Sequence, residues 1–314
     1  MRLIDLITQG KVFFSIEITP PFKNKSITTI FKTIERILPY KPAFINITYH
    51  PLKITKLYND TIDNDYILKK HVNPLGLCAA IKYKYNVEVV PHFVCAGMNK
   101  VIVEDTLIDF HFLGIENILA LRGDPAFANE TFKPVDGGYS YAYELVTQIN
   151  SMRKSLFVND IANYDAVYFC IGVAGYPEKH KEASSFDADI DSLKMKIDAG
   201  ADYIITQLCY DIDNLLNWLN KIRKAGITVP VIPGLKPLIS KNLLVSLRDN
   251  YSINIPSFLE KKIIGTKDSE SSYKIGIEHA IEFSNRLLRE GFPGIHYFTM
   301  GNGKDIEDVV KNVY

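Results

Sequence analysis

Eight short apolar runs, each separated from the next by an amphipathic or polar stretch, constrain this chain more than any other feature. The runs are 12–18 (VFFSIEI), 43–49 (AFINITY), 87–95 (VEVVPHFVC), 117–122 (NILALR), 166–174 (AVYFCIGVA), 203–209 (YIITQLC), 230–235 (PVIPGL) and 294–300 (GIHYFTM). They are rich in β-branched and aromatic residues and stay apolar at successive positions, as strands covered on both faces do. Between them, segments 100–113, 141–153, 187–200, 212–225 and 272–290 place apolar residues at helical spacing. Ala199–Gly200 and Gly226 sit where helices should stop. Alternation of this kind requires parallel pairing through right-handed crossovers. Eight repeats over 314 residues predict a closed (β/α)8 TIM barrel, a single α/β domain over 1–314 without linker or composition break. An open doubly wound sheet is the alternative.

Composition removes several classes of function. Lys+Arg and Asp+Glu are both 36, so the formal net charge is zero and no global basic field draws nucleic acid or an anionic membrane. Hydrophobic residues make up 47%, enough for a large core. No stretch reaches the roughly 20 apolar residues of a membrane helix. The start, MRLIDLITQGK, carries an acid early and has no unbroken apolar core, unlike a signal peptide. Cys78, Cys95, Cys170 and Cys209 form no CxxC pair, and three of them lie in apolar runs. They read as buried free thiols of a cytoplasmic protein.

A barrel makes a sharp statement about polar residues, because those at the C-terminal ends of its strands converge on one mouth. In order they are Glu17, Thr48, His92, Arg122 with Asp124, Tyr176 with His180, Gln207, Lys236, and His296 with Tyr297. The segment LRGDP at 121–125 is the most pointed. It ends an apolar run with two opposite charges around a glycine, and then a proline stops regular structure. Glu17, in FFSIEITPP, is an acid within an apolar strand. Desolvation there would raise its pKa and suit it to general-acid work, whereas pairing with a lysine from a neighbouring strand would make it structural.

Other chemistries have weaker support. The acids of DADID (187–191) do not share a helix face and are expected to open a helix, where their charge complements its dipole. Glu178 and His180 lack a third ligand, so no metal site is expected. Neither GxGxxG nor GxxxxGK[ST] occurs, which argues against Rossmann and P-loop domains but not against a nucleotide cofactor held by barrel loops. Lys236 is the candidate for a rival Schiff-base, aldolase-type reaction, although its Gly-Pro flanks favour a solvated amine. A non-catalytic barrel is the third reading.

The ordered motifs FSIEITPP, NITYH, PHFVC, LGIENILALRGDP, VAGYPEKHKEA, KMKIDAGADYIITQLCYD, PVIPGLKP and GFPGIHYFT resemble those of methylenetetrahydrofolate reductases, from residue 14 to about 300. LRGDP and the pair DAGAD–TQ are the specific elements. The resemblance covers the catalytic domain alone. It implies a (β/α)8 barrel that holds FAD, takes a hydride from NADH or NADPH, and passes it to 5,10-methylenetetrahydrofolate in a ping-pong cycle. By the same resemblance Glu17 matches the general acid that assists ring opening. Asp124 matches the carboxylate near flavin and folate, and Gln207 the amide that reads the pterin. Thr48, His92, Arg122, Gly123, Asp124, Tyr176, His180, Asp189 and Lys196 match FAD-contacting positions. Relatives of the bacterial type imply a homo-oligomer, or the chain could serve as a non-catalytic folate- or flavin-binding subunit. Three departures stand out: Ile18–Thr19 replace two aromatics, Lys181 replaces a proline, and an arginine beyond HYFTMGNG is missing. No motif distinguishes NADH from NADPH.

Overall fold

The computed structural model describes residues 1–49, 71–125, 131–158, 165–251, 253–299 and 301–314, with backbone alone at 53–56, 65–68 and 250–251. Its strands are β1 (Phe13–Ile18), β2 (Phe44–Ile47), β3 (Lys53–Lys56), β4 (Asp65–Leu68), β5 (Glu88–Val94), β6 (Asn117–Leu121), β7 (Cys170–Gly175), β8 (Tyr203–Leu208), β9 (Val231–Leu235) and β10 (Gly294–Phe298). Eight of them close a barrel in the order β1-β10-β9-β8-β7-β6-β5-β2. Every neighbouring pair around that ring is parallel. The eight apolar runs therefore supply the eight barrel strands, and the open-sheet alternative falls. β3 and β4 form a separate antiparallel hairpin, which no apolar run announces.

Two details differ from the sequence reading. The run at 166–174 becomes strand only from Cys170, because its partner β6 starts at Asn117 and the first rung joins the Cys170 amide to the Glu116 carbonyl at 2.7 Å. The last run is strand to Phe298, and Met300 lies outside the described residues.

Period-two alternation sorts each strand between two cores. Phe14, Ile16, Ile45, Ile47, Ile118, Val173, Ile204, Ile295 and Tyr297 join the helices in an outer layer. Phe13, Phe44, Val90, Leu119, Cys170, Tyr203, Ile205 and Ile232 fill the lumen, where Leu3 and Ile7 of the helix Leu3–Ile7 join them. That helix plugs the N-terminal end of the barrel, and the Leu3 amide donates to Asn117 Oδ1 at 2.8 Å. Each fully buried side chain of this kind contributes about 1.5–3 kcal/mol. The plug and the apolar lower lumen leave the upper lumen and the opposite rim for chemistry. All four cysteines are buried and free, and burial pushes their thiols up, so they are poor nucleophiles. Among the described residues no helix is long and apolar enough to cross a membrane.

Candidate active site

Because all eight barrel strands run the same way, their C-terminal ends share one rim. On β1, Ser15 and Glu17 follow Phe13 on the inward face, so the strand passes from the apolar lumen to a carboxylate just below the rim. The Glu17 side chain keeps only 14% of its exposure, and its Oε2 lies 3.3 Å from His92 Nε2 and 3.8 Å from His296 Nε2. His92 also meets Asn46 Nδ2 at 3.3 Å. His296 shares a 2.8 Å hydrogen bond between Nδ1 and Ser15 Oγ. Glu17 thus sits between two imidazoles. Asn46 Oδ1 and His296 Nε2 are buried without a hydrogen-bond partner.

The LRGDP segment is built by an extension of strand pairing. Beyond β5 and β6, the amides of Cys95 and Ala96 reach the carbonyls of Leu121 and Arg122 at 3.2 and 3.0 Å. Gly123 then turns with φ +90, and a Cβ there would stand 2.8 Å from Ala96 Cβ. The close approach and the backbone angle both demand glycine. Asp124 emerges exposed at the rim. Arg122 forks onto Glu182, with Nη1 and Nη2 at 2.6 and 2.8 Å from the two carboxylate oxygens. That pairing holds the guanidinium charged and the Glu182 carboxyl below its ordinary range.

A second group follows β7. Tyr176 stands edge-on to His180 with ring centroids 4.6 Å apart. The His180 amide donates to Asp189 Oδ2 at 3.0 Å, and Lys196 Nζ donates to the Ala174 carbonyl at 2.8 Å. Asp189 and Lys196 lie on the helix Phe186–Asp198, capped by Ser185, whose first turn carries Asp187 and Asp189 as expected. Desolvation pulls the Lys196 ammonium down to about 8 against the opposing pull of Asp189, pushes Tyr176 up to about 12, and lowers His180. Glu178 reaches out of this loop to accept the Asn254 amide at 2.7 Å, and burial raises its carboxyl to about 7.

The remaining expectations divide. Thr48 continues β2 to the rim, its backbone N–H donating a hydrogen bond to the Ile18 carbonyl at 3.0 Å. Gln207 lies beside an irregularity in the β8–β9 pairing, with Oε1 accepting the Leu208 amide at 2.9 Å. Lys236 is not a solvated amine. It is buried, its Nζ donates to the Thr299 carbonyl at 2.9 Å, and it forms a buried ion pair with Asp305. A Schiff-base lysine must be a free amine facing substrate, so the aldolase-type reading loses its nucleophile. Tyr297 also leaves the mouth: it faces the outer layer and bonds Ser284 Oγ at 2.8 Å. Among the described residues no group of three or more His, Cys, Asp or Glu side chains could hold a metal. Sequence reasoning missed Ser15 and Asn46, although period two puts them on the faces of Glu17 and Thr48. It also missed Glu182, for which the only signal is its place two residues after His180.

The model of the family described as methylenetetrahydrofolate reductase matches residues 2–314. Methylenetetrahydrofolate reductase 2 of Saccharomyces cerevisiae is 32% identical over 300 residues, which cover 93% of this chain and 45% of that protein. Methylenetetrahydrofolate reductase (NADH) 1 of Arabidopsis thaliana is 30% identical, covering 100% of this chain and 51% of its own length. The 5,10-methylenetetrahydrofolate reductase of Escherichia coli is 29% identical, with 94% and 88% covered. The chain spans about half the length of the first two of these relatives. Among solved structures, a Clostridium thermocellum protein described as binding two copies of 5-methyl-5,6,7,8-tetrahydrofolic acid superposes with a TM-score of 0.58 at 16% identity, over 98% of this chain and 96% of that one. That likeness shows the fold.

Proposed function

The chain belongs to the methylenetetrahydrofolate reductase family, and from that premise we propose that it reduces 5,10-methylenetetrahydrofolate to 5-methyltetrahydrofolate with FAD as resident cofactor and NADH or NADPH as hydride donor. One observation carries the reading: a nearly enclosed carboxylate, Glu17, in the upper lumen between His92 and His296. A carboxyl so placed donates a proton to the ring nitrogen of the folate, opening its five-membered ring toward an iminium. Asp124, exposed on the rim, sets a negative charge beside folate and cofactor, and Gln207 reads the pterin edge.

The residues present fit an anionic dinucleotide. Without a Rossmann loop, a pyrophosphate needs cations and bare backbone. Arg122 and Lys196 provide the first, with His180 as a neutral hydrogen-bonding neighbour, and Gly123, where a Cβ has no room, provides the second. Thr48, His92, Tyr176 and Asp189 complete that set. When bound, FAD supplies reversible hydride transfer. The protein orients folate and nicotinamide in turn at the same rim, and Glu17 holds the proton that only the folate step needs.

The purified protein is tested by its visible spectrum. A flavin band should appear, anaerobic NADH or NADPH should bleach it, and methylenetetrahydrofolate should restore it. Glu17→Gln should keep the bleaching and slow the restoration by about 10²–10⁴-fold, the range of a general acid. A colourless protein that gains no band with added FAD, or equal loss of both half-reactions in Glu17→Gln, contradicts the reading.

A further inference from the structure

His296 is fully buried, whereas the Glu17 and His92 side chains keep 14% and 10% exposure. In the β1–β10 register it stands beside Ser15, one inward-facing position below Glu17. Two aromatic rings fix its plane. Phe44 lies nearly parallel at 6.1 Å and 13°, and Phe298 meets it edge-on at 5.2 Å. Its Nδ1 is committed to Ser15 Oγ at 2.8 Å. Its Nε2 is buried without a hydrogen-bond partner, 3.8 Å from Glu17 Oε2. A buried ring nitrogen left unpaired needs a reason. The gap to hydrogen-bond range is about 1 Å.

We propose that His296 is a positioning residue that acts through Glu17. Ser15 donates its hydroxyl hydrogen to Nδ1 and so holds the ring as the Nε2–H tautomer, and Nε2–H closes onto Glu17 once that carboxyl has given up its proton. The inference rests on the reading of Glu17 as the acid of the folate step. The proton that leaves Glu17 goes to the folate nitrogen. The charge left on the carboxylate is met by Nε2–H, whose proton stays on the ring. His92, with Asn46 behind it, also faces Glu17. It has the exposure to meet a ligand, so the sealed histidine is the one whose service is confined to the carboxylate.

Two measurements decide the matter. The chain has 7 histidines, few enough for ¹⁵N spectra of histidine-labelled protein. His296 should show a protonated Nε2 and a bare Nδ1, Ser15→Ala should release that preference, and Glu17→Gln should shift the Nε2 signal. In single-turnover reduction of methylenetetrahydrofolate, Ser15→Ala and His296→Phe should move the alkaline limb to higher pH by about one unit. That is the shift that loss of one hydrogen bond to a charged group produces. A protonated Nδ1 in the wild type overturns the proposal, and so does a Ser15→Ala variant with tautomer and limb unchanged. A wild type that reduces no folate would sink the proposed function instead. The tautomer and its response to Glu17→Gln would still decide this inference, even if His296→Phe does not fold.

Discussion

Arg122 and Glu182 clasp each other at the barrel mouth through two parallel hydrogen bonds of 2.6 and 2.8 Å. The cation that the proposed function assigns to the cofactor's pyrophosphate is thus already paired with an acid from the next loop. Glu182 is 49% exposed and Arg122 20%, so the pair is weak on balance and exchangeable, within about 1 kcal/mol. Phosphate oxygens can replace the carboxylate fork for fork.

The first prediction follows. Glu182→Gln should tighten FAD by about twofold to fivefold, the equivalent of releasing a half-exposed pair. Arg122→Ala should weaken it by about tenfold to a hundredfold, as loss of charged hydrogen bonds requires. Flavin fluorescence titration measures both. Weaker binding in Glu182→Gln would mean that the acid positions the guanidinium rather than competing for it.

Lys196 supplies a pH dependence. Its folded pKa of about 8 lies below the ordinary 10.5 because burial disfavours the ammonium. Between those values the unfolded chain binds the extra proton, so this group's contribution to stability rises as pH climbs from about 8 to 10.5. If Lys196 holds the cofactor anion as proposed, affinity should run the other way, since an anion needs the charged form. FAD affinity should be level below pH 8 and fall above it by up to about tenfold per unit. Lys196→Met should bind weakly and lose that slope. A wild-type affinity flat to pH 10 would remove Lys196 from the anion site.

Much of this site was legible before any coordinate. Eight apolar runs set the barrel, and strand ends named Glu17, His92, Arg122 and His296, since in a parallel barrel chain position alone carries a residue to the rim. What stayed hidden depended on side-chain direction and on partners distant in sequence. Lys236 and Tyr297 follow or occupy strands at the right height, yet point outward to Asp305 and Ser284. Asp189 and Lys196, which only the family resemblance implies, sit on a helix, where strand-end logic does not look. Glu182 lies 60 residues from Arg122, a separation at which no local pattern operates.

Gly123 offers a test of the turn that delivers Arg122 and Asp124. Gly123→Ala forces a side chain onto φ +90 and brings its Cβ to 2.8 Å from Ala96 Cβ and 3.2 Å from Val94 Cβ. The backbone strain alone costs about 1–3 kcal/mol. The urea midpoint should fall accordingly, and FAD affinity should drop with it. Adding Ala96→Gly relieves the nearer contact but not the backbone angle, so the double variant should recover only part of the loss. Full recovery would show that contact, not conformation, selects glycine here.

The last prediction concerns Lys236 and Asp305, which stand 4% and 5% exposed. Two charges taken out of water gain little over a well-packed apolar pair, but removing one leaves the other stranded. Lys236→Met should therefore destabilise the barrel by about 3–5 kcal/mol. The double variant Lys236→Met, Asp305→Leu should return close to wild type, because the Asp305 carboxylate, in the first turn of the helix Lys304–Val313, is no longer left unpaired. Urea unfolding of the wild type, Lys236→Met, Asp305→Leu and the double variant gives the coupling directly. The same pair settles chemistry as well as stability. An amine buried against the Thr299 carbonyl and Asp305 is not free to add to a carbonyl substrate, so borohydride with a carbonyl substrate should leave Lys236 unmodified by mass spectrometry. A reduced adduct at Lys236, or additive losses in the cycle, would show that the ion pair opens and would restore the lysine as a nucleophile.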